Sequence, residues 1–264
     1  MSERQPVIVF ALFPGATQLD FTGPHQVLSR LPGATVILAS PEGGTVAADG
    51  MIFAGLRRLA DIPACDIVCV SGGGGVTDHA IHDAAFLGEL RRLAASARYV
   101  TSVCTGSLAL GAAGLLRGRR AACHWLWRDL LVPFGAIPDP GRVVRDGNVI
   151  TCAGVTAGID FALSVVAELA GPETAQVIQL QIEYAPAPPF DAGSPETAPP
   201  SVLARVRELN APVAARRREA VEAAAARLPA TAPCRGRSPA SADAGPGPAP
   251  DTRGRRSGTT PARS

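Results

Sequence analysis

One cysteine stands where a short apolar strand is expected to turn directly into a helix. Residues 99–111 read YVTSVCTGSLALG, with Cys104 at the turn and the small residues Ser102 and Gly106 two positions to either side. Small residues at these places let a strand reverse tightly into a helix and leave the side chain at the turn accessible, as in a nucleophile elbow. A helix N-terminus also favours the thiolate, the reactive form of cysteine. The window predicts a nucleophilic Cys104, with a buried structural cysteine as the alternative.

Two further features follow other predicted strands. Asp20 comes after the first strand, before a helix expected around residues 24–29, and a run of four glycines, residues 72–75, follows the third. Because the carboxyl ends of parallel strands share one edge of a sheet, we expect both features near Cys104. A carboxyl there can act as a general acid or base, and glycine amides can donate to a developing negative charge. Taken singly, the aspartate could be a helix cap and the glycines only a turn.

The elements that must position these residues alternate along the chain. Unbroken apolar runs at residues 5–13, 34–39 and 66–71 are typical of strands covered on both faces, whereas residues 84–97 and 156–170 carry apolar side chains at helical spacing. This alternation predicts a doubly wound α/β fold, with a mainly parallel, flavodoxin-like sheet sandwiched between helices.

The chain is expected to contain one folded domain and a tail. With 47% hydrophobic residues, the 264-residue chain can bury a sizeable core, and we place the domain at residues 1–228, ending in a charged, alanine-rich helix over 201–228. Residues 229–264 contain no Val, Ile, Leu, Met, Phe, Trp or Tyr. Such a segment cannot bury enough surface to offset its chain entropy, so we predict that it is disordered.

Composition excludes several classes of function. All 25 basic residues are arginine, which removes lysine Schiff-base chemistry, cofactors held as lysine aldimines and the P-loop nucleotide site. The formal charge is +2, and residues 229–264 carry six arginines against two aspartates, so the rest of the chain is close to neutral. This distribution does not favour nucleic acid as a partner.

The sequence also bears on location and on metals. It has no apolar run long enough to cross a bilayer, its first residues lack signal-peptide character, and its six cysteines show no disulfide framework, so we expect a cytoplasmic protein with free thiols and no membrane partner. His79 and His82 share a helical spacing, but no carboxylate or cysteine accompanies them at ligand spacing. We therefore predict no metal site.

Several segments in register resemble the isonitrile hydratase branch of the ThiJ/PfpI superfamily of class I glutamine amidotransferase-like proteins. The resemblance runs in order through residues 5–228 and leaves out the tail. Its segments are FPGATQLDFTGP (13–24), SVCTGS (102–107), GAAGLL (111–116), HW (124–125), VVRDGN (143–148), TAGIDF (156–161) and QIEYAPAPP (181–189).

Carried over residue by residue, the resemblance implies roles for five positions. Cys104 would be the nucleophile, Asp20 its acid/base partner and Thr105 a hydrogen-bonding residue in the pocket. The amide of Gly73, with that of Thr105, would hold developing charge. His124 follows the elbow helix, as a histidine does in relatives, and could contact substrate or simply pack. The resemblance also implies a homodimer, and the reaction described next requires no metal or organic cofactor.

The implied reaction is the hydration of an isonitrile to an N-substituted formamide. A protonated Asp20 could supply a proton to the isonitrile so that Cys104 adds to its carbon and forms a thioimidate. As a carboxylate, Asp20 could then activate the water that releases the formamide. This requires a raised pKa on Asp20, which burial beside a thiolate would produce.

Some positions depart from the family pattern and leave alternatives open. Many relatives carry histidine after the cysteine, where this chain has Thr105; that favours the hydratase branch over a glyoxalase or deglycase acting on reactive carbonyls. Cys123, Cys152 and Ala153 also differ from the pattern and could change the range of substrate sizes, or be neutral core exchanges. A ligand-sensing module of an AraC-type regulator is the other alternative, although residues 201–228 offer one helix and not a helix-turn-helix pair.

Overall fold

The computed structural model describes residues 5–229. Over this range the chain forms ten strands and six α-helices, together with short 3-10 and π-helical turns. The strands are β1 (Val7–Ala11), β2 (Thr35–Ser40), β3 (Gly44–Ala48), β4 (Met51–Arg58), β5 (Ile67–Val70), β6 (Tyr99–Ser102), β7 (Arg120–Ala121), β8 (Ile137–Pro138), β9 (Val143–Asp146) and β10 (Val149–Cys152). The helices are α1 (Gln18–Leu28), α2 (Ala84–Ser96), α3 (Gly106–Ala112), α4 (Ala157–Ala170), α5 (Pro172–Gln181) and α6 (Pro200–Ala225).

Eight strands form one sheet in the order β3-β4-β2-β1-β5-β6-β10-β9. Strands β4, β2, β1, β5, β6 and β10 pair in parallel in that order, and the antiparallel strands β3 and β9 lie at the two edges. Apart from β4, which pairs with β2 over two residues, the parallel strands β2, β1, β5, β6 and β10 follow the order 2-1-3-4-5 when numbered among themselves. This is the flavodoxin-like order, in which ligands bind where the winding reverses. The predicted doubly wound, mainly parallel fold is confirmed, and the reversal lies between β1 and β5.

Helices cover both faces of this sheet. α1, α4 and α5 pack together, and α2, α3 and α6 form a second group. The core between these layers is built from the strands themselves, since all residues of β5 and β6 are buried. Burial on both faces explains why β1 and β5 are continuously apolar and do not alternate.

Helix α1 differs from its sequence prediction. It begins at Gln18, six residues before the expected start, and it contains Pro24. Asp20 therefore lies in the first helical turn and not in the preceding loop. The helix accommodates Pro24 because the proline packs against α4, where a Cβ added to Gly158 would lie 3.0 Å from the proline ring. The packing between helices outweighs the local preference of proline for a helix start.

The segment between α3 and β9 contains elements that the sequence patterns did not indicate. β7 and β8 form a separate two-stranded parallel sheet, and Arg128–Phe134 form a 3-10 helix. This segment carries His124, Trp125 and Trp127, all of which contribute to the site described below.

The predicted disorder of residues 229–264 concerns a segment that lies, apart from Pro229, outside the described residues. Among residues 5–229, no helix is both long and apolar enough to cross a bilayer.

Candidate active site

Cys104 lies at a sharp turn between β6 and α3. Its φ of 58° is in the left-handed region, which non-glycine residues seldom adopt and which is associated with functional sites. The turn closes through the hydrogen bond from the Gly106 amide to the Val103 carbonyl, 3.0 Å. A Cβ at Gly106 would lie 2.2 Å from the Val70 carbonyl oxygen, so only glycine fits there. The small residue expected after the cysteine is thus required by the close approach of β5.

Asp20 lies beneath this turn and is fully buried. Its Oδ2 accepts a hydrogen bond from the Gly72 amide, 2.8 Å, whereas Oδ1 accepts none from an N–H or O–H group within residues 5–229. Burial raises the pKa of Asp20 to about 7; the Gly72 amide and the neighbouring Cys104 thiol partly oppose that rise in pKa. A carboxyl with this pKa exchanges its proton near neutral pH, as a general acid or base must.

The glycine run brings its backbone against Asp20 and Thr105. A Cβ at Gly72 would lie 2.5 Å from the Thr105 nitrogen and 2.7 Å from Asp20 Oδ2. The next residue, Gly73, has φ +133° and donates its amide hydrogen to Thr105 Oγ1, 2.9 Å. The Thr105 hydroxyl in turn donates to the Gly73 carbonyl oxygen, and at 3.4 Å this hydrogen bond is long and therefore weak.

This geometry changes how the Gly73 amide can act. The amide that we expected to hold developing charge already donates to Thr105, so binding charge there requires that hydrogen bond to be exchanged for one to the ligand. Both polar groups of Thr105 lie at this point. Its hydroxyl oxygen accepts from the Gly73 amide, and its own amide donates to the Cys104 sulfur. The role predicted for Gly73 stays a prediction, now coupled to movement of Thr105.

A cavity of about 480 Å³ opens above Cys104. Gly73, Thr105 and His124 line it, as does Val155 from the β10–α4 connection. Most of the remaining wall is apolar and comes from the segment after α5 and from α6. Those side chains include Ala192, Pro195, Ala198, Val202, Leu203, Val206 and Val213.

Aromatic residues form another side of the cavity. Trp125 and Trp127 both line it, and the His124 ring stacks on Trp125 at 5.8 Å. Nδ1 of His124 accepts from the Leu126 amide, 3.3 Å, which leaves Nε2 as the nitrogen that carries the hydrogen. Burial, and then Arg217, lower the pKa of His124, so the ring is neutral near pH 7. In this form His124 can donate one hydrogen bond into the cavity.

Arg217 is the residue of the site that the sequence patterns missed. It lies on α6, is 4% exposed, and lines the cavity together with Cys104. Its signal in the sequence is an arginine within the apolar stripe of a charged helix, at the spacing Leu203, Val206, Asn210, Val213, Arg217. All five of these residues line the cavity.

The protonation state of Cys104 differs from the thiolate that its position at a helix N-terminus favours. Burial raises the pKa of the thiol well above its usual range, and the neighbouring Asp20 and Cys123 raise it further. The Thr105 amide and Arg217 oppose this rise in pKa but do not cancel it. Cys104 is therefore a thiol at neutral pH, because loss of hydration outweighs the short helix α3.

The other cysteines and histidines lie as follows. Cys65, Cys69, Cys123 and Cys152 are buried free thiols. No group of three or more metal-ligating side chains occurs in the described part of the chain. His82 contacts Arg227, 2.9 Å from its Nδ1.

A flavodoxin-like sheet that carries a cysteine at its central strand–helix elbow, beside a buried carboxyl, is the architecture of the class I glutamine amidotransferase-like α/β proteins. Within that class the chain belongs to the DJ-1/PfpI family, which it matches over residues 6–168. The match ends in α4, so the cavity wall formed by α6 lies beyond it.

Individual relatives extend further along the chain. The isonitrile hydratase of Pseudomonas putida is 52% identical over 222 residues, covering 84% of this chain and 97% of that enzyme. A ThiJ/PfpI family protein from Pseudomonas syringae has a crystal structure similar to this fold, with a TM-score of 0.79 and 42% identity over 84% of this chain and 90% of that one. The transcriptional regulator GlxA of Rhizobium meliloti is 31% identical over 63% of this chain and 52% of its own length.

Proposed function

We propose that this protein is an isonitrile hydratase, a lyase that converts an isonitrile and water into an N-substituted formamide through Cys104. The observation that carries the proposal is a thiol on a strained elbow, directly above a buried carboxyl whose pKa is about 7, at the floor of a largely apolar cavity. The 52% identity to the P. putida enzyme along nearly its whole length supports the same chemistry.

In the proposed first step, Cys104 and Asp20 act on the isonitrile carbon together. The carbon is nucleophilic until it accepts a proton, and the thiol and the carboxyl are neighbours that can exchange one. The Asp20 carboxylate first takes the proton of the Cys104 thiol. The carboxyl so formed gives that proton to the isonitrile carbon while the sulfur anion forms the C–S bond, which yields a thioimidate and leaves Asp20 as a carboxylate.

In the second step, the Asp20 carboxylate draws a proton from water as the hydroxide adds to the thioimidate carbon. That proton passes to the substrate nitrogen, and the C–S bond then breaks while the added hydroxyl gives a proton to Asp20, which passes it to the departing sulfur. The products are the N-substituted formamide and the original pair of side chains, so one water is consumed and no other reactant is needed. We assign Thr105 and His124 to hydrogen bonds with the reacting nitrogen and oxygen, and the Gly73 amide to the same task once Thr105 moves.

The proposed substrate has an apolar substituent. The cavity wall opposite Cys104 consists mainly of valine, leucine, proline and tryptophan side chains. Burying an apolar group against such a wall contributes about 25 cal/mol per Å² of area removed from water. Cyclohexyl isocyanide is therefore a suitable probe.

The test is formation of N-cyclohexylformamide from cyclohexyl isocyanide by the purified protein. We expect turnover by the wild type, none by Cys104→Ala, and a large loss in Asp20→Asn. A Cys104→Ala variant with unchanged turnover would refute the covalent mechanism. Cys69→Ala is a matched control, because this cysteine is also buried but does not line the cavity.

The formamide assay, together with a methylglyoxal assay and a ligand-binding assay, separates the alternative functions. A protein that makes no formamide but consumes methylglyoxal is a glyoxalase or deglycase. One that does neither yet binds small ligands is a sensor, the function suggested by its 31% identity to part of a regulator. The described residues after 190 contain one α-helix, α6, and that helix forms the cavity wall.

Three further proposals concern the whole protein. Residues 1–228 act as a single catalytic domain, which is supported by a cavity whose lining runs from Thr17 to Arg217. The enzyme works in the cytoplasm, in keeping with five free cysteines among the described residues. It assembles as a homodimer, which light scattering of the purified protein tests directly.

A further inference from the structure

Arg217 is a buried cation that forms no ion pair with an acidic residue of the described chain. Its side chain lies in the cavity wall, and within residues 5–229 no aspartate or glutamate lies within ion-pair distance of it. The adjacent Arg216, by contrast, is exposed and pairs with Asp78 at 3.1 Å, and Asp78 acts on Arg217 only beyond ion-pair distance. Burying a guanidinium without an anion is costly, so a buried unpaired arginine in a cavity calls for an anion formed there.

The contacts of Arg217 orient its guanidinium. Nε donates to Thr77 Oγ1, 2.7 Å, and Nη2 lies 3.4 Å from the Gly73 carbonyl oxygen. The planar group stacks on the ring of Trp127, 4.4 Å from the centroid. Nη1 has no hydrogen-bond partner among the described residues. These contacts hold the cation at the turn that also carries the hydrogen bond between Gly73 and Thr105.

The charges that face Cys104 come from three directions. Asp20 approaches from α1, Cys123 from the strand-end after β7, and Arg217 from α6. A negative Asp20 or Cys123 disfavours a sulfur anion, whereas Arg217 favours one. His124 lines the same cavity and is neutral near pH 7. Among these groups Arg217 therefore supplies the positive charge.

We propose that Arg217 is the counter-ion of the Cys104 sulfur anion, a positioning residue that α6 brings to the elbow from outside the segment matched by the family. It lowers the free energy of the anion whenever the sulfur gives up its proton, both before attack on the substrate and when the C–S bond breaks. The inference rests on the proposed function only for the identity of the nucleophile. The interaction between thiol and guanidinium can be measured without any isonitrile.

The experiment is alkylation of Cys104 by iodoacetamide in the folded, full-length protein, followed by mass spectrometry from pH 6 to pH 10. Only the thiolate reacts, so the rate reports its population. A Cys234→Ser background removes the one cysteine outside the described residues, and Cys104→Ser in that background establishes which site is labelled. Arg217→Gln keeps a polar group near Thr77 and loses the charge, Arg217→Lys keeps the charge, and Arg216→Gln is the matched control.

We expect Arg217→Gln to slow alkylation about tenfold below the midpoint of the profile and to move that midpoint to higher pH, as loss of a nearby opposite charge does. Arg217→Lys should stay near the wild type, and Arg216→Gln should overlay it. If Arg217→Gln does not fold by circular dichroism, the same result is required of Arg217→Met, whose stem still covers Trp127. A profile in the neutral variant that overlays the wild type overturns the proposal, as does an equal loss in Arg217→Lys.

Turnover separates this role from substrate binding. With cyclohexyl isocyanide, which carries no charge, the neutral variant should lose kcat about tenfold with little change in KM. A loss confined to isocyanoacetate, which bears a carboxylate, would make Arg217 a substrate-binding residue and overturn its assignment as counter-ion. If wild-type protein hydrates no isonitrile, the proposed function fails while the alkylation profiles still decide the role of Arg217.

Discussion

The effect of burial on the Asp20 carboxyl can be tested by measuring the free energy of unfolding as a function of pH, without an activity assay. Its pKa in the folded protein is about 7, against an ordinary value of 3.8. Below pH 4 the carboxyl is protonated in both the folded and the unfolded chain, so it does not change stability with pH there. Between pH 4 and pH 7 the unfolded chain loses this proton first, so the free energy of unfolding falls as pH rises. Above pH 7 the carboxyl is ionised in both states, and the loss is complete.

The magnitude follows from the displaced pKa. Each pH unit of displacement corresponds to about 1.4 kcal/mol, so the buried carboxylate costs about 4 kcal/mol of stability above pH 7. Asp20→Asn removes this cost. The amide oxygen of asparagine can still accept from Gly72, and its NH2 takes the place of Oδ1, which has no regular partner within residues 5–229. The free energy of unfolding of the variant minus that of the wild type should therefore rise by about 2.5 kcal/mol from pH 5 to pH 8.

The assay is urea unfolding of wild type and Asp20→Asn at several pH values from 5 to 8. Comparing the two proteins at each pH cancels the titration of all other groups. Asp61→Asn is the control, because it makes the same replacement of a carboxyl by an amide at an exposed aspartate. A difference for Asp20→Asn that stays flat across this range would show that the carboxyl is not held protonated by burial. The acid/base role proposed for it would then lose its physical basis.

Three other substitutions test the geometry. Gly106→Ala should destabilise the fold by about 3 kcal/mol, measured by urea unfolding, because its Cβ would lie 2.2 Å from the Val70 carbonyl oxygen; an unchanged midpoint would contradict the tight elbow. Thr105→Val leaves the buried Gly73 amide without its acceptor and should cost about 1–3 kcal/mol of stability as well as turnover; Thr105→Ser should restore both, and failure to do so would count against the hydrogen bond. Val206→Trp should narrow the cavity and raise KM for cyclohexyl isocyanide far more than for methyl isocyanide; equal changes would place the substrate elsewhere.

Local patterns were enough to predict the fold and the turn at Cys104. Continuous apolar strands followed by amphipathic helices specify a parallel sheet covered on both faces, and the small residues around Cys104 specify a tight turn. Prediction failed where a tertiary contact outweighed a local preference. Packing of Pro24 against Gly158 lets α1 begin at Gln18, which moves Asp20 into a helical turn.

The sequence also predicted that Asp20, the glycine run and Cys104 lie together at one edge of the sheet, because the strand order places them there. It did not reveal that the Gly73 amide is already occupied by Thr105, since that contact joins residues 32 positions apart through a close approach of two loops. Nor did the weakly amphipathic helix predicted over residues 201–228 indicate that it would cover the site.

By itself, then, the sequence predicted the sheet, the elbow, and the cysteine and carboxyl that meet there, since each depends on residues near one another in the chain or on the order of the strands. Only the tertiary structure decided their charge states. Burial raises the pKa of both Cys104 and Asp20, and hydration is lost only when distant segments close over them. Arg217, 113 positions beyond Cys104 in the chain, reaches the cavity only because α6 packs across it.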